Sequence, residues 1–392
     1  MPLNRERANL VMGKEGVDVV VATSPENVYY ISDYWSLGRQ MHCGSEAYAL
    51  FPNEGEPTIV APIGEVDLII DIETLGGAQF YGNINFEVSK SDESSEQTLR
   101  LIEIYESAEP EADGVSGLIK SIREKGLEAG VIAVDTSGIT PATYEYLQKQ
   151  LPDANLVEGS SLLREVRLIK TEMEVELIRR ATEITEKSME DALEIARPRI
   201  MEIDLAGMFG YSVAYDGGRV TLNLIGFGER SAFPHPTPTN CEISRGDLIR
   251  MVLGCTWRHY NANVSRTAVI GQPSSKVKNR WQAVMAAQDA ALDIMEPGVE
   301  ISQVYKAAEK ELKAADIGHI FPSFGHGVGV ECNEMPRIEK EEGGELIEGM
   351  VVNIDIPCLE LGWAGVQIED AVLVTSDGFE LLTRTDRTLY LL

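Results

Sequence analysis

The chain has 392 residues, 44% of them hydrophobic and 7% aromatic, and a formal net charge of -29 at pH 7. That length exceeds one ordinary core and calls for two domains, and the charge argues against nucleic acid or anionic membrane as a partner. No apolar stretch reaches the roughly 18 residues of a membrane span, no signal-peptide pattern follows Met1, and Cys43, Cys241, Cys255, Cys332 and Cys358 lie too scattered for a disulfide framework or zinc knuckle, so a reduced, cytoplasmic protein is expected.

Taken in chain order, residues 17–22 and 130–135 read as buried strands. Residues 47–51 and 57–60 read as strands around a turn at 52–55. The stretch 99–107 reads as helix, and a further helix ends at Gln150 with Thr140 as its N-cap and Pro141 at its first position. This alternation predicts an α/β N-terminal domain over 1–164. Beyond it, Thr171 and Glu174 have the spacing of a capping box, and Ile178, Ala181, Ile184, Met189, Ala192 and Ile195 recur at helical spacing before Pro198. Helices over about 276–295 and 302–315 interleave with strands at 248–253, 261–270, 350–356 and 366–374. The second domain, 165–392, is thus expected to be α+β, with helices on one face of antiparallel strands.

Four segments of this second part form an ordered set. They are Pro234 with His235; Gly246 and Asp247 through Ser265, Arg266 and Thr267; Gly325, His326, Gly327, Val328 and Gly329 with Pro336, Arg337 and Ile338; and Gly349, Met350, Val351 and Val352 through Ile368, Glu369 and Asp370. Together they resemble the signature of the creatinase, prolidase and aminopeptidase P superfamily, peptidase family M24. The resemblance implies a pita-bread C-terminal catalytic domain after a creatinase-like N-terminal domain, a small-molecule substrate and a homodimer. Metal-dependent members hold two divalent ions through Asp, Asp, His, Glu and Glu, whose matching positions here are Val252, Asn263, His326, Asp355 and Glu369. An aliphatic side chain ligates nothing, a neutral amide is a poor ligand for transition metals, and a further family histidine is Asn333 here. The expectation is therefore a site without a cofactor. The alternative is one divalent ion, Mn, Zn or Co, on His326, Asp355 and Glu369, because three protein ligands plus water make a catalytic site.

The resemblance also assigns candidate roles. His235, in a loop fixed by Pro234 and Pro236, carries an imidazole, the side chain best suited to accept and return a proton, and matches the histidine that activates water in creatinase-like enzymes. Asp355, Glu369 and His326 would orient the charged group being cleaved. Two carboxylates at close range cannot both ionise freely, so a proton or a cation must join them. Arg250, two residues before Val252 on one predicted strand, is one such cation, and a cationic substrate is another. Arg337 and Arg39 are candidate anchors for a substrate carboxylate, with an ordinary surface arginine as the other reading of Arg39. His259, Asn261 and Asn263 alternate along a predicted strand and are expected to share a pocket-facing side, with Trp257 at its mouth. Phe227 and Tyr260 are pocket walls or core, and His42 and His319 have no assigned partner. Ser265, Asp355 and Glu369 each depart from creatinase, so creatine is not the expected substrate. The expected function is metal-independent hydrolysis of a C–N bond in a small carboxylate-bearing amidine, guanidine or amide. Alternatives are a mononuclear Xaa-Pro dipeptidase, a lyase on a small onium acid, and a non-catalytic binding protein.

Overall fold

Short runs of β-branched residues flanked by capped helices build the first half of the chain, as seen in a computed structural model that describes residues 2–41, 44–83, 87–91, 94–318 and 320–392. His42, Cys43 and His319 lie outside the described residues. Two units divide at Arg167 and Leu168. The first contains α1 (Arg5–Glu15), β1 (Val19–Ala22), α2 (Pro25–Ser32), α3 (Leu37–Gln40), β2 (Tyr48–Pro52), β3 (Thr58–Pro62) and β4 (Gly77–Tyr81). It continues with α4 (Glu96–Ser107), α5 (Gly114–Glu124), β5 (Val131–Val134), α6 (Pro141–Gln150), β6 (Asn155–Glu158) and α7 (Ser160–Arg167). The strands form one mixed sheet in the order β4-β3-β2-β1-β5-β6. Every residue of β1 is buried, as expected of an uninterrupted apolar run covered on both faces. Thr140 caps α6 by accepting from the Thr143 amide at 3.1 Å.

The second unit contains α8 (Glu172–Glu194), α9 (Glu202–Tyr215), β7 (Arg219–Phe227), β8 (Leu248–Trp257), β9 (Tyr260–Val269), α10 (Ser275–Leu292) and α11 (Ile301–Ala314). Then follow β10 (Ser323–Gly327), β11 (Glu334–Glu339), β12 (Val351–Glu360), β13 (Ala364–Thr375), β14 (Gly378–Leu381) and β15 (Tyr390–Leu391). Their sheet runs β11-β10-β12-β13-β9-β8-β7, with β14 paired to β13 and β15 to β9. Alternation along each strand sends one set of side chains to the helices. Met251, Leu253 and Val264 pack with Ile184, Leu205 and Phe209, while Val352, Ile354 and Ile368 pack with Val284, Val304 and Tyr305. The intervening residues of β8, β9, β12 and β13 face the other way. No described helix is long and apolar enough to cross a membrane.

Two buried polar clusters brace the helix side. Arg266 donates to Asp370 at 2.6 Å, and Gln288 and Thr383 donate to the same carboxylate. At the start of α8, Thr171 and Glu174 form the reciprocal capping box. Glu174 also accepts from the Tyr260 hydroxyl at 2.9 Å, beside the buried Lys170–Glu334 ion pair at 3.0 Å.

Backbone packing around β10 is tight. A Cβ on Gly325, whose φ is +148°, would meet the Asn353 carbonyl at 1.9 Å, and one on Gly327 would meet the Met335 carbonyl at 2.1 Å. Glycine is required at both positions, and the strand holding His326 fits only between them.

Candidate active site

The face turned away from the helices is polar at its centre. Cross-strand pairing aligns Val252 with Ser265, Ser265 with Glu369, and Glu369 with Asp355, one row spanning β8, β9, β13 and β12. In the next row Arg250 pairs with Thr267, whose hydroxyl exchanges two 3.0 Å hydrogen bonds with the Gln367 backbone. On the opposite flank Gly254 pairs with Asn263, Asn353 with His326, and His326 with Arg337. Sheet register alone thus gathers residues from positions 250 to 369 into one layer.

Glu369 is only 2% exposed and Asp355 is half-buried. Burial raises the pKa of both acids. The Asp355 charge raises Glu369 further, against an Asn353 Nδ2–H donated to Glu369 at 2.8 Å. Asp355 is eased by Gln367 Nε2–H at 2.7 Å and by the Arg250 charge. His326 Nε2 lies 3.9 Å from Glu369 Oε1, and its Nδ1 is 2.9 Å from the Gly327 carbonyl. A proton on Nδ1 satisfies that carbonyl and leaves the Nε2 lone pair directed at the acids. Burial lowers the His326 pKa, which favours this neutral form. Asn353 Oδ1 is buried with no hydrogen-bond partner among the described residues, an acceptor without a donor beside the same acids.

Two mutually repelling acids, a neutral imidazole and an orphaned amide oxygen form one donor set. His326, Asp355 and Glu369 suit one divalent ion of the Zn or Mn kind. Among the described residues no three His, Cys, Asp or Glu side chains stand together as a metal cluster, and Asp355 accepts from Gln367. A second ion finds no carboxylate on the other side. Val252 offers only carbon, and the Asn263 amide is bonded to Cys332 Sγ at 3.3 Å.

Several expected site residues lie elsewhere or do something different. Arg250 is not free to bind substrate, because its guanidinium donates to the carbonyls of Ser231 and Phe233 and to Gln367 Oε1. Arg39 is a clamp within the first unit, spent on the carbonyls of Thr23, Ala47 and Gly138. His259 is not on a strand. With Arg258 it forms the two-residue turn between β8 and β9, both at positive φ, so it cannot alternate with Asn261 and Asn263. Burial and the Arg219 charge push its pKa down to about 4. Asn261 instead holds the carbonyls of Gly329 and Val330. Trp257 packs against core beneath Arg258, and Phe227 and Tyr260 are core. Arg337 is exposed, pairs with His326 across β10 and β11, and has its guanidinium 4.0 Å from Glu339. His235 is exposed in its loop and makes no side-chain hydrogen bond to another described residue. Sequence reasoning missed Asn353 and Gln367, which a two-residue step from Asp355 and Glu369 would have found, and Cys332, whose neighbourhood no local pattern signals.

The family model for the creatinase/prolidase N-terminal domain matches residues 5–169, and that for metallopeptidase family M24 matches residues 176–376. An Xaa-Pro dipeptidase of Pyrococcus horikoshii is 29% identical over 384 residues, covering 96% of each chain. One of Lactobacillus delbrueckii subsp. lactis is 25% identical, covering 100% of this chain and 99% of its own. The solved prolidase from Pyrococcus horikoshii superposes with a TM-score of 0.79 at 26% identity, covering 98% of this chain and 99% of that one. An Xaa-Pro dipeptidase from Bacillus anthracis reaches 0.82 at 22% identity, covering 99% of each. The match to a metallopeptidase family overturns the expectation of a cofactor-free, metal-independent site, and the alternative of a divalent ion fits instead. The chain belongs to metallopeptidase family M24, a pita-bread catalytic domain following a creatinase/prolidase-type N-terminal domain.

Proposed function

We propose that the protein hydrolyses a C–N bond in a small carboxylate-bearing substrate, in the manner of an Xaa-Pro dipeptidase, with one divalent ion held by His326, Asp355 and Glu369. The observation that carries this reading is the cross-strand Asp355–Glu369 pair, with His326 Nε2 3.9 Å from Glu369 and His326 Nδ1 2.9 Å from the Gly327 carbonyl. When bound, the ion supplies Lewis-acid polarisation and a lowered pKa for water. The chain supplies the rest. Gly327 holds the His326 tautomer, Asn353 orients Glu369, and Gln367 orients Asp355. Arg337 anchors the substrate carboxylate through its guanidinium fork. His235 is the proton donor to the leaving nitrogen, on a loop that Arg250 ties to the sheet through the Phe233 carbonyl.

The test is a chelator-stripped preparation assayed on Xaa-Pro dipeptides and on small amidino and guanidino acids, then supplemented with Mn²⁺, Zn²⁺ or Co²⁺. Activity that disappears on stripping and returns with metal is expected, together with its loss in His326→Ala. Undiminished turnover by metal-free protein would refute the reading.

A further inference from the structure

Arg250 is 2% exposed, yet its three hydrogen-bond acceptors, the carbonyls of Ser231 and Phe233 and Gln367 Oε1, are all neutral. Burying a guanidinium with no charged partner in direct contact is costly. The burial lowers its pKa to about 10, which still leaves it charged at neutral pH. Its negative partner stands one residue away. Gln367 takes Arg250 on its carbonyl oxygen and gives its Nε2–H to Asp355 at 2.7 Å. Thr267 fixes the Gln367 backbone from both directions, so the amide spacer is held in place. Guanidinium and carboxylate are therefore linked through one amide rather than in direct contact. Arg250 also lies one row from Val252, on the same face of β8, where the family pattern has a ligand carboxylate and this chain has none.

We infer that Arg250 is the built-in second positive charge of this site: relayed through Gln367 to Asp355, it stands in for a second divalent ion, so that each chain takes one ion and Arg250 weakens the hold on it. This rests on the divalent-ion reading of the proposed function. A fixed positive charge close to a divalent cation repels it through a poorly screened interior, and removing that charge must tighten binding. A neighbouring carboxylate that cancels it must do the same.

The experiment counts and titrates metal rather than turnover. Stripped full-length protein is titrated with Mn²⁺ by calorimetry, and bound metal is counted by mass spectrometry, for wild type, Arg250→Met, Arg250→Lys and Gln367→Glu. Wild type is expected to take one Mn²⁺ per chain, and Arg250→Met and Gln367→Glu to bind it at least about tenfold tighter or to accept a second ion. Arg250→Lys, which keeps the charge, is expected to stay within about twofold of wild type. Two ions in wild type, unchanged affinity in both charge-cancelling variants, or tightening by Arg250→Lys as large as by Arg250→Met would overturn the inference. Should Arg250→Met fail to fold, Arg250→Gln, which removes the charge and keeps amide N–H donors, takes its place and Gln367→Glu is read only beside it. Wild type that binds no Mn²⁺ sinks the proposed function as well, whereas one ion with unresponsive variants sinks only the role of Arg250.

Discussion

Replacing Glu174 with Gln isolates the cost of one charge buried in the first turn of α8. Glu174 is 1% exposed, and burial carries its pKa from 4.5 to about 7, with the Glu334 charge adding and Thr171, Lys170 and Tyr260 opposing. An acid whose folded pKa lies above its unfolded value holds its proton more firmly in the folded chain. Its carboxylate therefore costs nothing below pH 4.5 and progressively more as pH rises through 7. That interval, at about 1.4 kcal/mol per pH unit, amounts to about 3 kcal/mol at pH 8. Gln at the same place keeps the capping box, and Lys170 remains paired with Glu334, so the change leaves no new orphan charge. The variant should be more stable than wild type at pH 8, melting roughly 6–10 °C higher in the second unit, with the advantage gone by about pH 4.5. Calorimetric melts of both proteins at pH 5, 6, 7 and 8 measure this directly. A gap that stays constant across the series, or a variant less stable at pH 8, refutes the reasoning.

Three further outcomes follow from close contacts in the second unit. Gly325→Ala drives a methyl into the Asn353 carbonyl at a φ that disfavours side chains, so loss of soluble, folded protein is expected, read from expression and circular dichroism. Arg337→Ala should raise KM for carboxylate-bearing substrates by about 10–100-fold with kcat little changed, because the anchor holds substrate and transition state alike; equal loss in amide-capped substrates would contradict this. Asp370→Ala leaves Arg266 buried without its 2.6 Å partner and should cost about 3–5 kcal/mol by urea denaturation, with Asp370→Asn less damaging.

The features legible in the amino-acid sequence are mostly local. The cap of α6 and the capping box of α8 stand where Thr140, Pro141, Thr171 and Glu174 place them, because a helix start is settled within four residues. The strands over 366–374 and 350–356 show as apolar runs, but β13 and β12 extend beyond them since their ends are held by each other. The turn at Arg258 and His259 leaves no such mark, because neither residue is the Gly or Asn that such a turn favours. Reading that stretch as continuous strand is what puts His259 on a pocket wall. His326, Asp355 and Glu369 are recognisable by resemblance, and the register across three strands brings Asp355 and His326 to Glu369. The engagement of Arg250 is hidden for a different reason. Its acceptors Ser231 and Phe233 come from a loop nearly twenty residues earlier, a distance over which no periodicity carries information.

The backbone around His326 has a consequence for which substitutions the site can accept. Carbonyls press against β10 from either flank, so the imidazole is carried on a segment that tolerates neither bulk nor displacement. Val252 and Asn263 are carried on β8 and β9, where a Cβ on Gly254 would in turn meet the Asn263 Oδ1 at 2.5 Å. A side chain added at Gly325 or Gly327 would displace the imidazole through its own backbone, so the position of His326 is set by main-chain packing rather than by neighbouring side chains.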